Sequence, residues 1–164
     1  MRDGFKERPN AIPWPPILFF SAFFGALALE TAVGTPFEVP EAATGPVRFV
    51  GFALAATGCG LMGWALATMA RRNANILPNR AATQLVTTGP FAFSRNPIYL
   101  GEAILLLGLA GILVSLWFLL ACLFCVGTIS VLGIAREEAH MRAVFGPQWQ
   151  AYCDRVPRWV LGPF

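Results

Sequence analysis

The sequence predicts an all-α integral membrane protein with four transmembrane helices, a cytoplasmic loop and an amphipathic C-terminal helical tail. The chain has 164 residues, of which 56% are hydrophobic and only 13% charged, and its mean hydropathy is +0.60. These values are too apolar for an ordinary soluble domain, and the length suits one domain, residues 1–164. The apolar residues also fall into long blocks, at residues 17–33, 47–70 and 98–135. Because a helix needs roughly 20 apolar residues to cross a bilayer, these blocks indicate membrane spans.

The length of each block determines how many spans it contains. The first two blocks each suffice for one span, at about residues 15–34 and 47–70. As one straight helix the third block would be about 57 Å long, nearly twice the hydrocarbon thickness. We therefore expect two short helices, at about residues 98–114 and 117–135, joined near Val114-Ser115-Leu116. We expect the first block to be a retained helix rather than a cleaved signal peptide, because the prolines around its start make a poor n-region.

The positive charges predict the orientation of these spans. Apart from Arg48, which lies near the connection between the first two spans, the arginines and lysines form three groups. They lie at the N-terminus, between the second and third spans and in the tail, as Arg2, Lys6 and Arg8; Arg71, Arg72, Arg80 and Arg95; and Arg136, Arg142, Arg155 and Arg158. The positive-inside rule places all three groups in the cytoplasm, which four spans allow and three do not. The net charge of +3 then needs no nucleic-acid partner, because topology and anionic headgroups account for the arginines.

The two segments outside the spans on the cytoplasmic side are predicted to fold against the helices. Residues 71–97 are long for a connection and contain the breakers Pro78, Gly89 and Pro90, but too many apolar side chains to remain in water. The tail, residues 136–164, spaces its apolar residues three to four apart, which indicates an amphipathic helix interrupted at Gly146-Pro147. This tail either lies on the membrane or forms a lid over a site.

Polar residues crowd the beginning of the third predicted span, in the stretch "SRNPIYLGE". Asn96 as an N-cap and Pro97 at the first helical position suffice to start a helix. They do not explain Tyr99 and Glu102 in the next turn, and a carboxylate within a span is costly unless it reaches the interface or has a partner. The pattern therefore indicates a site as well as a helix start.

Two adjacent carboxylates, Glu137 and Glu138, stand at the predicted end of the fourth span. Negative charge is unfavourable at a helix C-terminus, so we expect either compensation by Arg136 and Arg142 or a bound cation. In an arrangement of four antiparallel spans, the start of the third span and the end of the fourth lie side by side. Tyr99 and Glu137 are therefore predicted to share one pocket.

Three further features have structural interpretations. The stretch "GCGLMG" matches GxGxxG but lies inside a span, which favours close helix packing over dinucleotide binding. Cys122 and Cys125 form a CxxC inside the fourth span and His140 is the single histidine, so no metal site is predicted. Glu30 is expected to reach the interface or to pair with Arg48.

Two stretches carry a family resemblance. "LVTTGPFAFSRNPIYLG" and "EEAHMRAVFGPQWQAYCDRVPRW" resemble the isoprenylcysteine carboxyl methyltransferases with their bacterial relatives, and the related phospholipid (phosphatidylethanolamine) N-methyltransferases. The resemblance implies an enzyme of the bacterial inner membrane, with both termini in the cytoplasm. It also implies S-adenosylmethionine as cofactor and a lipophilic acceptor that enters from the bilayer. The cytoplasmic cofactor region would consist of residues 71–97 and 136–164.

The resemblance assigns roles to individual residues. The implied cofactor-binding residues are Thr83, Gln84, Leu85, Val86, Phe91, Asn96, Pro97, Ile98, Tyr99 and Glu137. The implied catalytic residues are Arg95, Tyr99 and Glu138. The Glu137 carboxylate suits a methionine ammonium or a ribose hydroxyl, and the Tyr99 ring suits a sulfonium cation. Gly58 and Gly60 are weaker candidates, because the phospholipid enzymes have a transmembrane Gly-x-Gly linked to the cofactor.

The chain departs from the family pattern at three positions. Asn96 replaces a histidine, as in the phospholipid enzymes, and Phe91 replaces a tyrosine. Gly133 stands where the eukaryotic enzymes have the arginine that meets the prenylcysteine carboxylate, which argues against that substrate. The acceptors that stay open are an isoprenylcysteine carboxylate or similar group, a phospholipid amine, and a small lipophilic thiol or acid. The alternative functions are a non-catalytic membrane scaffold and a sterol-reductase-like oxidoreductase.

Overall fold

The computed structural model of the protein describes residues 12–36, 38–76 and 80–160, and every regular element within these ranges is helical. The α-helices are α1 (Trp14–Val33), α2 (Glu41–Arg71), α3 (Pro97–Leu113), α4 (Leu116–Ile129), α5 (Ala135–Phe145) and α6 (Pro147–Cys153). A 3₁₀ turn, Gly89–Ala92, precedes α3, and a π-helical turn, Ser130–Ile134, joins α4 directly to α5. Four residues used to predict the topology and the loop lie outside the described residues: Arg2, Lys6, Arg8 and Pro78.

Three helices are long and apolar enough to cross a membrane. They are α1, α2 and the continuous helix Leu116–Phe145, which contains α4, the π turn and α5. The apolar helix α3 has 17 residues, so it is about 26 Å long against a hydrocarbon core of about 30 Å. The predicted class, an all-helical integral membrane protein, is therefore confirmed, whereas the fourth span depends on α3 and stays a prediction.

The predicted break between the third and fourth apolar segments is confirmed. Val114 adopts the left-handed conformation, with a φ of 52°, and Ser115 is extended. These two residues end α3 and reverse the chain into α4. The amphipathic helix of the tail is likewise interrupted at Gly146, which has a φ of 49° and separates α5 from α6.

Two helices extend beyond the predicted spans. Helix α2 begins at Glu41 rather than near residue 47, because a carboxylate is favourable in the first turn and Pro46 removes only one backbone hydrogen bond there. The last long helix continues past residue 135 to Phe145. Within it the Ser130 hydroxyl donates to the Val126 carbonyl at 2.6 Å, a bond that competes with the regular helical ladder where the π turn occurs.

Glycines allow α2 and α3 to pack in close contact. A Cβ added to Gly58 would lie 2.6 Å from the Gly101 carbonyl oxygen, and one added to Gly108 would lie 2.5 Å from the Ala55 nitrogen. Gly60, by contrast, has no neighbouring atom within 4 Å of such a Cβ. The prediction that "GCGLMG" serves helix packing is confirmed for Gly58, while Gly60 points away from α3.

Helix α1 packs against α4, so that the long helices follow the order α2, α3, α4, α1 across the molecule. The Phe23 and Phe118 rings meet edge to face, with centroids 5.7 Å apart, in an apolar core between the two helices. At the far end of α1, the Glu30 carboxylate accepts hydrogen bonds from the Thr35 and Ser115 hydroxyls. The expected pairing of Glu30 with Arg48 is therefore wrong, because hydroxyl groups solvate this carboxylate locally.

Candidate functional site

A cleft opens where the beginning of α3 meets α5, α6 and the segment between α2 and α3. It contains about 910 Å³ of space between protein atoms, part of which is open to solvent. The sequence-predicted residues that line it are Gln84, Leu85, Val86, Phe91, Arg95, Asn96, Pro97, Ile98, Tyr99, Glu137 and Glu138. The fold thus brings together residues from three separate parts of the chain.

The predicted proximity of Tyr99 and Glu137 is confirmed. The Tyr99 hydroxyl donates a hydrogen bond to Glu137 Oε1 at 2.7 Å. Tyr99 lies in the first turn of α3 and Glu137 in the first turn of α5, and both side chains line the cleft. The bond therefore joins the two helices at the cleft wall and orients one carboxylate oxygen.

The second carboxylate, Glu138, is paired with arginines. Arg158 approaches it with Nε at 3.0 Å and Nη2 at 2.5 Å, and Arg95 Nη2 lies 3.6 Å from Oε1. This hydrogen bond with Glu138 raises the pKa of Arg158 above its ordinary value. The expected compensation by Arg136 and Arg142 is wrong, since both are exposed and the partners come from other segments.

The position of both carboxylates differs from the prediction in one further respect. They do not end a helix, because the helix that contains them continues to Phe145. The carbonyl groups of this turn are engaged by the following turns, so the predicted conflict with a helix C-terminus does not arise. Within the described residues, no group of three or more histidine, cysteine, aspartate or glutamate side chains could hold a metal ion.

The tail covers the cleft, as the lid interpretation requires. Trp149 and Tyr152 of α6 line it, and the Tyr152 hydroxyl donates to the Phe91 carbonyl at 2.7 Å. Burial raises the pKa of Tyr152, which keeps this hydroxyl protonated as a donor. Arg95 lies beneath α6, with Nη1 2.6 Å from Cys153 Sγ and its guanidinium 5.9 Å from the centre of the Trp149 ring.

Two predicted residues have other contacts than expected. Asn96 precedes α3, but its side-chain amide donates to the Arg158 carbonyl at 3.0 Å and does not cap the helix. Thr83 does not line the cleft. Its hydroxyl donates to the Asn73 carbonyl at 3.2 Å and accepts the Asn75 backbone N–H at 3.2 Å. Asn96 thus binds the C-terminal tail, and Thr83 joins two parts of the segment between α2 and α3.

Several residues of the cleft were not predicted from the sequence. They are Met69, Asn75, Ile76, Arg80, Ala82, His140, Met141, Trp149 and Tyr152. Met141, Trp149 and Tyr152 belong to the three-to-four-residue apolar spacing of the tail, but this pattern does not distinguish a membrane-facing side from a site-facing one. His140 followed no pattern, and its position became visible only in the folded chain.

Two buried donors in the cleft have no hydrogen-bond partner within the described part of the chain. They are Arg95 Nε and the indole Nε1 of Trp149. The Arg95 side chain is only 9% exposed. Buried polar groups are nearly always paired in folded proteins, with protein atoms, ordered water or a ligand, so these two donors mark positions that require an acceptor. Glu102 Oε2 is also buried without a partner, but Glu102 does not line the cleft.

Fold and site together define an integral membrane protein with a polar cleft at one end of its helices. A model of the phospholipid methyltransferase family matches residues 46–148, more than half of the chain. The chain belongs to this family, as the resemblance of its two sequence stretches had implied. Membership indicates methyltransferase activity in general, and the matched region contains most of α2, all of α3 to α5 and most of the cleft.

Two curated relatives align with parts of the chain. The nickel-cobalt-cadmium resistance protein NccN of Alcaligenes xylosoxydans xylosoxydans is 30% identical over 99 residues, which are 60% of this chain and 46% of that protein. The Delta(14)-sterol reductase LBR of Gallus gallus is 33% identical over 88 residues, which are 50% of this chain and 13% of that protein. The chain therefore spans less than half the length of either relative. No solved structure matches it.

Proposed function

We propose that the protein is an S-adenosylmethionine-dependent methyltransferase that methylates a lipophilic acceptor. The observation that carries this proposal is the composition of the cleft. A carboxylate oriented by Tyr99 stands together with two buried, unpaired donors, in a chain whose family is defined by methyl transfer. The cleft therefore offers partners to both charges of an amino-acid-like ligand.

The cleft fits the groups that such a cofactor presents. Glu137 can accept hydrogen bonds from an ammonium group, and Arg95 Nε and Trp149 Nε1 can donate to a carboxylate or to hydroxyl groups. Leu85 and Phe91 supply apolar lining suited to a base. When bound, the cofactor supplies a methyl group activated by its positively charged sulfur.

The residues of the chain would act mainly by binding and alignment. The Tyr99 ring can face a sulfonium cation while its hydroxyl stays bonded to Glu137. The tail covers the cleft and excludes water, which strengthens the electrostatic interactions inside it. Displacement at a methyl carbon depends strongly on such alignment, so a strong general base is not essential.

We further propose that the cleft faces the cytoplasm of a bacterial inner membrane protein with four spans. The exposed Arg71, Arg72, Arg80, Arg136, Arg142 and Arg155 all lie around this end of the helices or in the tail, where the positive-inside rule expects them. The polar cofactor would then enter from the cytoplasm and the acceptor from the bilayer. Residues 1–164 would act as one domain, with the cofactor region at 71–97 and 136–164.

The acceptor is proposed to lack a carboxylate of the prenylcysteine type. A Cβ added to Gly133 would lie 3.1 Å from Pro15 Cγ and 3.3 Å from Ile129 Cγ1, so α1 covers the position where related enzymes have an arginine. The family match favours a phospholipid amine among the remaining acceptors. Similarity to a sterol reductase keeps an oxidoreductase as the second candidate function.

Ligand binding by the detergent-purified protein tests the proposal. Calorimetric titration with S-adenosylmethionine should show saturable binding, and titration with NADPH should not. Incubation with methyl-labelled cofactor and lipid extract should then label a lipid, whose identification gives the acceptor. Binding of NADPH alone would favour the oxidoreductase, and binding of neither compound would favour a scaffold without activity.

A further inference from the structure

The loop that forms one wall of the cleft has no regular structure of its own. Residues 80–86 contain neither helix nor strand, and Gln84, Leu85 and Val86 within them line the cleft. Such a segment keeps one conformation only if other groups form hydrogen bonds with its backbone N–H and carbonyl groups. The contacts that hold this loop therefore determine the shape of the cleft.

A single histidine provides one of these contacts. His140 is 1% exposed, lies on α5, and its Nε2 accepts the Ala82 backbone N–H at 2.9 Å. Ala82 itself lines the cleft, and Gln84 follows it two residues later in the same wall. The loop is further tied to the segment that follows α2, where the Asn75 side-chain amide donates to the Ala81 carbonyl at 3.2 Å.

His140 also stands in a defined relation to the proposed cofactor carboxylate. It follows Glu137 by three residues on α5, so the two side chains lie on the same face of the helix, one turn apart. Glu137 is bonded to Tyr99 of α3, and His140 is bonded to the loop. One turn of α5 thus contacts both the start of α3 and the loop, which form two walls of the cleft.

We propose that His140 is a positioning residue that fixes the loop wall of the ligand cleft through the Ala82 N–H. The identity of the ligand rests on the proposed function, whereas the effect on the loop does not. An imidazole accepts at Nε2 only when that nitrogen carries no proton, and a doubly protonated imidazole has donors alone. Loss of the Nε2 acceptor would leave the Ala82 N–H without this partner and release the loop.

Other charged or titratable groups face the same cleft. They are Arg80 of the loop, Arg95 and Tyr99 from the start of α3, Glu137 and Glu138 of α5, and Tyr152 of α6. Glu138 is already paired with Arg95 and Arg158, and Glu137 with Tyr99. A substitution that keeps a hydrogen-bond acceptor at position 140 separates the contribution of His140 from that of these groups.

Limited proteolysis without cofactor tests the effect on the loop. Arg80 and Arg155 are both exposed, so trypsin cleavage after Arg155, followed by mass spectrometry, normalises cleavage after Arg80. We expect His140→Leu, which lacks the acceptor, to raise the normalised rate at Arg80 by about 3- to 10-fold at neutral pH. His140→Gln supplies an amide oxygen and should restore a rate close to that of the wild type.

A second variant gives a measurement that does not require His140→Leu to fold. Ala82→Pro removes the N–H that His140 accepts and should also raise the normalised rate at Arg80. Rates in His140→Leu and Ala82→Pro equal to that of the wild type, or a rate in folded His140→Gln as high as in His140→Leu, would overturn the proposal.

Cofactor titration connects the loop to the proposed function. S-adenosylmethionine should bind His140→Leu about 3- to 10-fold more weakly than the wild type, with recovery in His140→Gln. Failure of the wild type to bind the cofactor would refute the proposed function but not the role of His140, which the proteolysis decides. Unchanged affinity in His140→Leu would refute that role in ligand binding.

Discussion

Glu137 and Glu138 are neighbours in the sequence but have different surroundings. Successive residues of an α-helix point about 100° apart, so the two carboxylates meet different parts of the molecule. Glu138 is neutralised by Arg95 and Arg158. Because Arg158 belongs to the C-terminal tail, these ion pairs favour a structural role in which Glu138 binds the tail. Glu137 has a neutral hydroxyl as its hydrogen-bond partner and forms no ion pair among the described residues, so its carboxyl group can accept further hydrogen bonds from a ligand.

Replacement of Glu137 by glutamine should weaken S-adenosylmethionine binding by roughly 10- to 150-fold, because a charge-assisted hydrogen bond contributes about 1.5 to 3 kcal/mol. Tyr99→Ala should produce a similar loss, and the two effects should not add, because the residues share one hydrogen bond. Calorimetry of the purified variants measures both. Asp154→Asn removes an exposed carboxylate of the tail and serves as the control. Unchanged affinity in Glu137→Gln would exclude this residue from the cofactor site.

Replacement of Glu138 by alanine should lower the free energy of unfolding by about 1 to 3 kcal/mol, because it leaves the buried Arg95 without its ionic partner. Arg158→Ala should cost less, since the Arg158 side chain is 38% exposed. Thermal unfolding in detergent measures the order of the two effects. Arg155→Ala, at an exposed arginine, should have almost no effect, and a loss in that control equal to the loss in Glu138→Ala would contradict this interpretation.

At the scale of helices, close contact between backbones positions the beginning of α3. Gly58 and Gly108 allow α2 and α3 to approach each other along much of their length. At the other side of α3, the π turn and Gly133 allow α1 to pack beside the last long helix. The polar residues at the start of α3 therefore have a fixed position relative to α5.

Substitution of Gly108 by alanine should destabilise the protein by about 1 to 3 kcal/mol, because the added Cβ would lie 2.5 Å from a backbone nitrogen of α2 and the helices must separate. Gly60→Ala is the matched control. Its Cβ meets no atom within 4 Å, and alanine favours helix, so the variant should be neutral or slightly more stable. Denaturant unfolding in mixed micelles compares the two. Equal stability would show that the glycine contact does not hold α2 against α3.

A farnesylcysteine analogue should be methylated slowly or not at all, because Gly133 supplies no cation and α1 covers the position. Gly133→Arg should destabilise the packing of α1 without creating this activity. An assay with methyl-labelled cofactor tests both proteins. Efficient turnover by the wild type that is lost in Arg136→Ala would show that the exposed Arg136 takes the part of the missing arginine.

At the scale of the whole molecule, polar groups are distributed unequally between the two ends of the helices. The cleft, its ion pairs and most exposed arginines lie at the end that contains the start of α3. The opposite end contains Glu30 with its two hydroxyl partners. This asymmetry is typical of a membrane protein whose chemistry occurs at one surface.

Fusion of topology reporters to residue 1 and residue 164 should give cytoplasmic signals at both ends, because the arginine distribution requires an even number of spans. The same experiment determines whether α3, with its 17 residues, crosses the membrane. A reporter inserted in the connection between α1 and α2 is expected on the opposite side and provides the control. Signals from opposite sides for the two termini would leave three spans.

The sequence by itself determined the membrane class, the helical segments, the reversal at Val114-Ser115 and the association of Tyr99 with Glu137. These follow from local hydrophobicity, helix length and the short connection between two consecutive helices. Only the tertiary structure decided which arginines neutralise Glu138, that α1 covers Gly133, and that His140 holds Ala82 from 58 positions away. Such contacts join segments whose relative position depends on the packing of all the helices, and no periodicity within one segment encodes them.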